Sequence, residues 1–263
     1  MNQYHLNIVI ALAAYALSSI FSLLGFTDFK AANIFKRVCY GLFTFATFLM
    51  TLVTIQSYGQ TAYLVTSSLS LTTAISWITL LIHVFFNISA GITLASPIAT
   101  LIMLIEMFKQ KGSHFDTEPP PLLLNLHISS AIIGEAFAIV SFIWAILYLY
   151  QQQAMKKKRL NFLIKNSLNL ATTEKALKIC LWTGFIFLTA GLILGATVNQ
   201  FGGQSINSVT SVKIFWAIGV WICYLAALIV HYLQGSQTKR TAQITVVGFM
   251  LMSLGLFGLT SWR

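Results

Sequence analysis

The sequence predicts an all-α fold: a polytopic transmembrane helical bundle of eight spans, with the N-terminus and C-terminus both outside. Three observations predict it. Of 263 residues, 57% are hydrophobic and 8% are charged, against about 25% charged in a typical soluble domain. The apolar residues gather in runs long enough to cross a bilayer. The basic residues gather in alternate loops. So few charges could not cover a soluble core, which excludes a cytosolic enzyme, a secreted disulfide scaffold and a disordered chain. The net charge of +10 then concerns orientation in a bilayer and not nucleic acid. Cys39, Cys180 and Cys223 are isolated and form no CxxC pair, so neither a disulfide framework nor a thiol relay is expected.

A hydrocarbon core takes roughly 20 helical residues. The first run is Leu6–Phe26. The flank Met1–His5 is without Lys or Arg, and no small-residue cleavage site follows at a suitable distance, so the run is expected to be a span and not a signal peptide. Val38–Ile55 is the second, entered through Lys36 and Arg37. The apolar stretch from Ser68 to Phe108 is too long for one helix. Asn87, Ser89 and Gly91 offer a turn, which splits it into Ser68–Asn87 and Thr93–Phe108. Pro97 then falls in the first turns of the fourth helix, where a missing N–H costs least. Pro119, Pro120 and Pro121 stiffen the next loop, Ser113–Asn125. The remaining spans are Ile128–Tyr150, Leu177–Val198, Lys213–Leu233 and Ile244–Trp262. The whole chain, 1–263, is expected to form a single transmembrane domain.

The loops give the orientation. Lys156, Lys157, Lys158, Arg159, Lys165 and Lys175 follow the fifth span, and Lys239 and Arg240 follow the seventh. The loop around Gln56–Thr66 is uncharged. The positive-inside bias puts both termini outside, and a seven-span reading breaks the alternation. The basic loop Gln151–Lys175 is amphipathic enough for a short surface helix near anionic headgroups.

Ionisable groups inside a membrane each need a reason. Glu135 lies about two turns into the fifth span, where a carboxyl must be paired, facing water or neutral. His83 lies in the inner half of the third. His127 opens the fifth at the outer face, His231 closes the seventh at the inner face, and Lys213 starts the seventh outside. For His127, His231 and Lys213 the plain reading is a polar tip reaching headgroups. For His83 it is a ring bonded to a neighbouring helix carbonyl. Neither HExxH, a Cys cluster, GxSxG nor a phosphate-binding glycine loop occurs, and no enzyme with its own covalent chemistry is expected. Phe185, Phe187, Phe215, Trp216, Trp221 and Tyr224 crowd two helices, as packing residues or as the walls of a planar hydrophobic ligand such as haem, with histidine as axial ligand.

Three stretches together resemble the cytochrome c assembly protein family. Leu126-His127-Ile128-Ser129-Ser130 is similar to a family LHI motif. Gly184-Phe185 to Leu188-Thr189-Ala190-Gly191, then Gly195-Ala196, is similar to a GF-x-x-LT-x-G…GA helix. Lys213, Trp216-Ala217, Trp221, Tyr224, His231, Gly235 and Lys239-Arg240 follow a third family pattern. The resemblance is strongest over 122–263. It is to the CcsA/CcmC superfamily, and most to its short HemX/YpjD-type branch of eight-span inner-membrane proteins. Two departures stand out. The segment Asn199–Lys213, where CcsA and CcmC carry a Trp-rich outer loop, has neither Trp nor Asp. Glu135 stands where the family often has Tyr.

The resemblance implies haem as cofactor, with cofactor-binding residues His127, His231, His83, Trp216 and Trp221. The metal ligands would be His231, His83 and His127, with Glu135 and Lys213 as further site residues. His127 and His231 would lie near opposite faces, about 30 Å apart, so they cannot share one iron. His231 is expected to be an inner-side axial ligand with His83 as the second, and His127 to serve a separate outer site. The implied function is haem binding, extending to translocation, in support of cytochrome c biogenesis or haem homeostasis. The implied place is the bacterial inner membrane. The implied partners are the lipid bilayer, haem and proteins of cytochrome c assembly or tetrapyrrole synthesis, with no nucleic acid. Two alternatives stand beside it. One is a secondary transporter of another hydrophobic or anionic solute, with Glu135 as its proton-coupling group. The other is a membrane regulator of tetrapyrrole synthesis, acting through the Gln151–Lys175 loop on a soluble partner.

Overall fold

The computed structural model describes residues 3–24, 32–61, 67–86, 90–109, 122–157, 170–201, 208–233 and 238–258. Among them the secondary structure is helical throughout: α1 (Gln3–Leu24), α2 (Ala32–Thr61), α3 (Ser67–Phe86), α4 (Ala90–Lys109), α5 (Leu122–Lys156), α6 (Leu170–Phe201), α7 (Ser208–Leu233) and α8 (Thr238–Gly258). The eight expected runs each become one helix. Most helices outrun their apolar windows, because hydrogen bonding continues through polar flanks once a helix is nucleated. α5 has 35 residues, about 52 Å of helix against a hydrocarbon core of about 30 Å.

By length and composition, six helices are able to cross a membrane: α1, α2, α3, α5, α6 and α7. α4 holds a shorter apolar stretch, Gly91–Ile105, and α8 is a polar-flanked helix whose first residues are Thr238, Lys239 and Arg240. The chain is thus a multi-pass membrane protein. Both the proline loop before α5 and residues 158–169 of the basic loop lie outside the described residues, as do residues 202–207 within Asn199–Lys213.

The packing divides the helices into two units. The first comprises residues 1–120 with 157–169, the second residues 121–156 with 170–263. In the first, α1 packs on α2 and α4, and α3 on α4 and α2. The expected turn residues Asn87 and Ser89 lie outside the described residues, while α3 and α4 on either side of them pack on each other and Gly91 lies inside α4. Pro97 sits deeper in α4 than its expected place in the first turns. Its missing N–H frees the carbonyl of Thr93, one turn earlier; the Ser22 hydroxyl, which donates to the Ser19 carbonyl at 2.8 Å, lies 3.5 Å from that oxygen.

Lipid offers little hydrophobic drive between helices, so close packing and buried hydroxyls join them. Tyr15 is fully buried in the first unit. Its hydroxyl shares a 2.8 Å hydrogen bond with Ser76 of α3 and donates to Thr47 of α2 at 3.4 Å. Most other hydroxyls, such as Thr47 and Thr79, return to carbonyls of their own helix, while the buried Ser70 hydroxyl has no partner among the described residues.

In the second unit α5 is the central helix, packed on α6 and on α8, while α7 lies on α8 and α6. Small residues bring α5 and α6 close. A Cβ added at Gly134 would meet the Leu188 backbone N at 3.0 Å, and one at Gly184 would meet Phe137 Cβ at 3.1 Å. At Gly191 it would meet Ser130 Oγ at 3.4 Å. As numbering rises in α5 it falls in α6, so the pair is antiparallel. Tyr224 of α7 is fully buried; its hydroxyl donates to the Ala138 carbonyl at 3.4 Å, and its ring lies 3.2 Å from the place of a Cβ at Gly248. The three cysteines are free thiols, as expected.

Candidate functional site

His127 lies in the first two turns of α5, where the tight antiparallel pairing sets its ring against α6. Its Nδ1 is 2.8 Å from the carbonyl oxygen of Gly191. A carbonyl can only accept, so Nδ1 carries the proton and donates. In the neutral ring the lone pair is then on Nε2. Nε2 makes no hydrogen bond to any described residue. Gly195, one turn beyond Gly191, lies directly under the ring: a Cβ there would meet His127 Cε1 at 2.8 Å and Nδ1 at 3.1 Å. Two residues before His127, Asn125 Oδ1 is buried with no partner among the described residues.

This donor set fits a haem iron. Histidine ligands characteristically donate their second N–H to a carbonyl or carboxylate, which fixes the tautomer and makes the ligating nitrogen more basic. His127 meets that condition within the described residues. Residue type and position pointed to His127; its pairing with Gly191 and Gly195 was missed. The signal was present, since Gly191 and Gly195 have the Gly-x-x-x-Gly spacing of close helix contacts.

His231 closes α7 at the other end of the second unit. It lies within electrostatic range of Lys178 and Glu174 of α6. Its neighbour Tyr232 packs edge-on to Trp182, with ring centroids 5.7 Å apart. From Lys178 to Gly195 is about 25 Å of helix. His127 and His231 are thus separated along α6 by too much for one iron. His83 belongs to the first unit. Its ring lies 5.1 Å from that of Tyr40, and its Nδ1 is buried with no hydrogen-bond partner among the described residues, so the expected carbonyl bond is not made through Nδ1.

The two tryptophans are engaged within the unit. Trp216 Nε1 donates to the Leu251 carbonyl at 2.7 Å. Trp221 Nε1 donates to Thr189 Oγ1 at 2.8 Å, and its ring stacks on Phe185 with centroids 5.5 Å apart. Their N–H groups are therefore committed to holding α7 on α8 and α6. Lys213 lies in α7, with its side chain outside the described set.

Glu135 is half-buried and makes no hydrogen bond or ion pair with a described residue. It shares a helix face with Phe142, seven residues on, whose ring stacks on Phe249 of α8 at 3.9 Å. At the start of α6, Thr173 donates to Gln151 Oε1 at 3.0 Å and Thr238 to Glu174 Oε1 at 2.5 Å. These two bonds tie the start of α6 to α5 and α8. Groups of three or more His, Cys, Asp or Glu residues able to hold a bare metal ion are absent among the described residues.

The profile of the family described as "Cytochrome C assembly protein" matches residues 38–263. The match takes in α3 and α4 and most of α2 as well as the second unit, so it reaches well beyond the stretch whose motifs carried the resemblance. No curated protein matches the chain.

Proposed function

The chain belongs to the cytochrome c assembly protein family, and from that membership we propose that it binds haem in the membrane in support of cytochrome c biogenesis or haem homeostasis. The motifs of α5, α6 and α7 support the HemX-type branch, the basic loops eight spans with both termini outside, and the family the bacterial inner membrane. It acts as a binding or transfer protein without covalent chemistry of its own.

The observation that carries the reading is the hydrogen bond from His127 Nδ1 to the Gly191 carbonyl. A histidine serving only as interhelical glue needs a single bond, and this one has it. Here, in addition, the bonded nitrogen is the one that leaves Nε2 free as an iron ligand. His127 Nε2 would hold the iron, while α6 fixes the ring. Bound haem supplies an iron centre with an open coordination position for that nitrogen. His231 is the ligand for a second, inner site, and the distance along α6 keeps the two apart. Translocation would carry haem between such sites.

The experiment is an absorption spectrum of the purified full-length protein in detergent, with and without added haemin. A Soret band that is lost or shifted in His127→Ala supports the reading; a spectrum indifferent to both His127→Ala and His231→Ala sinks it.

Glu135 favours a second reading. A carboxyl without a described partner inside a membrane helix is a coupling group by default. In that reading the protein is a proton-coupled transporter, uptake of its solute depends on a pH gradient, and Glu135→Gln abolishes the uptake while purified protein shows no haem absorption.

A further inference from the structure

We infer that Gly195, together with the Gly191 carbonyl, is a positioning element for His127: it clears the space that lets the imidazole lie on α6 in the Nδ1–H form. The inference rests on the haem reading of His127 and goes beyond it by assigning the feature that prepares the ligand.

The geometry leaves little freedom. The Gly191 carbonyl is one helical turn before Gly195, on the same face of α6. The imidazole spans both positions, bonded to the first at 2.8 Å and covering the second. A methyl at position 195 would sit 2.8 Å from Cε1, 3.1 Å from Nδ1 and 3.5 Å from Nε2. All three are ring atoms, so no flexible tip is available to move aside. The ring would have to shift away from α6 as one rigid unit. The bond to Gly191 would then break, and nothing would select the Nδ1–H tautomer over the other. Rings protonated on Nε2, the nitrogen that would hold the iron, could then not bind it in that form. Glycine is therefore needed at 195 for the space it leaves, since an ordinary helical backbone accepts alanine readily.

The same contact separates this role from general helix packing. Gly134 and Gly184 also bring α5 and α6 together, but a Cβ at either would meet Leu188 or Phe137, neither of which is a ligand. At 195 the three nearest atoms are all those of the imidazole.

The test uses the full chain, wild type, Gly195→Ala, His127→Ala and the double variant. Haemin titrations and Soret spectra are recorded for each, with melting temperatures of the haem-free proteins. Loss of such an orienting contact characteristically weakens metal binding about tenfold to a hundredfold. Gly195→Ala should weaken haemin binding by that factor and shift the Soret band. Its effect on the melting temperature should vanish in the His127→Ala background, since the methyl then has no ring to displace. This second comparison decides the matter even if Gly195→Ala is unstable. An unchanged haemin affinity in Gly195→Ala, with binding still lost in His127→Ala, overturns the positioning inference alone. An equal fall in melting temperature in both backgrounds also overturns it, because the glycine then serves packing in general. Normal binding and spectrum in His127→Ala overturn the haem reading, and the positioning inference with it.

Discussion

His127 of α5 donates a 2.8 Å hydrogen bond from Nδ1 to the carbonyl of Gly191 on α6, sixty-four residues away in sequence. The bond ties a ring that matches a family motif to a helix that matches another. It exists because small residues let two helices approach closely along an antiparallel pair. The proposed ligand site and a packing seam are here one structure.

The seam itself is testable. Gly134→Ala places a methyl 3.0 Å from the backbone N of Leu188, which cannot yield without moving α6. Overpacking of this kind costs about 1–3 kcal/mol. Gly41, in α2, has nothing within 4 Å of its virtual Cβ, so Gly41→Ala should be neutral or raise stability by up to about 1 kcal/mol through helix propensity. Unfolding in detergent micelles should rank the two in that order. Equal effects would show that α5 and α6 are less closely joined than described.

The hydroxyl bonds of the first unit make a second case. Tyr15→Phe removes the bonds to Ser76 and Thr47 while keeping the buried ring. Interhelical hydrogen bonds in membranes average about 0.6 kcal/mol. A loss of that order is expected, and Ser76→Ala added to Tyr15→Phe should cost little more. A fully additive double variant would contradict the shared bond.

Glu135 shares its helix face with Phe142, which stacks on Phe249. A fluorescent probe at position 135 should therefore be shielded from quenchers carried on lipid tails. A probe at Ile146, an exposed position of the same helix, should be quenched strongly. Equal quenching would place Glu135 against lipid and remove the basis of the proton-coupling alternative.

The helices were legible in the sequence to a considerable degree. Each apolar run became a helix, and the polar break at Asn87–Ser89 separated α3 from α4. Helix ends were less legible, because hydropathy marks the lipid-buried part and not the hydrogen-bonded part. Pro97 shows the difference: an earlier start of α4 moved it inward. Trp216 and Trp221 look alike as aromatic candidates, yet each indole N–H is assigned by a partner on a different helix, Leu251 or Thr189. His127 was found from its residue type and motif. Its tautomer was not, since that depends on the stagger of α5 against α6, which no local pattern encodes.

Orientation follows from the basic loops and can be read with reporters. A reporter fused after Gln153 should report the cytoplasm, and one after Arg263 the opposite side. Agreement between the two would remove one span from the eight.

The central claim is that this membrane protein holds haem through His127. The most direct measurement is the Soret spectrum of His127→Ala beside wild type, each purified with haem supplied, before and after adding imidazole. The account predicts a band in wild type that is lost or shifted in the variant and restored by imidazole, which fits the space the side chain vacates. A wild-type protein without a Soret band, or a variant spectrum identical to wild type, would contradict it.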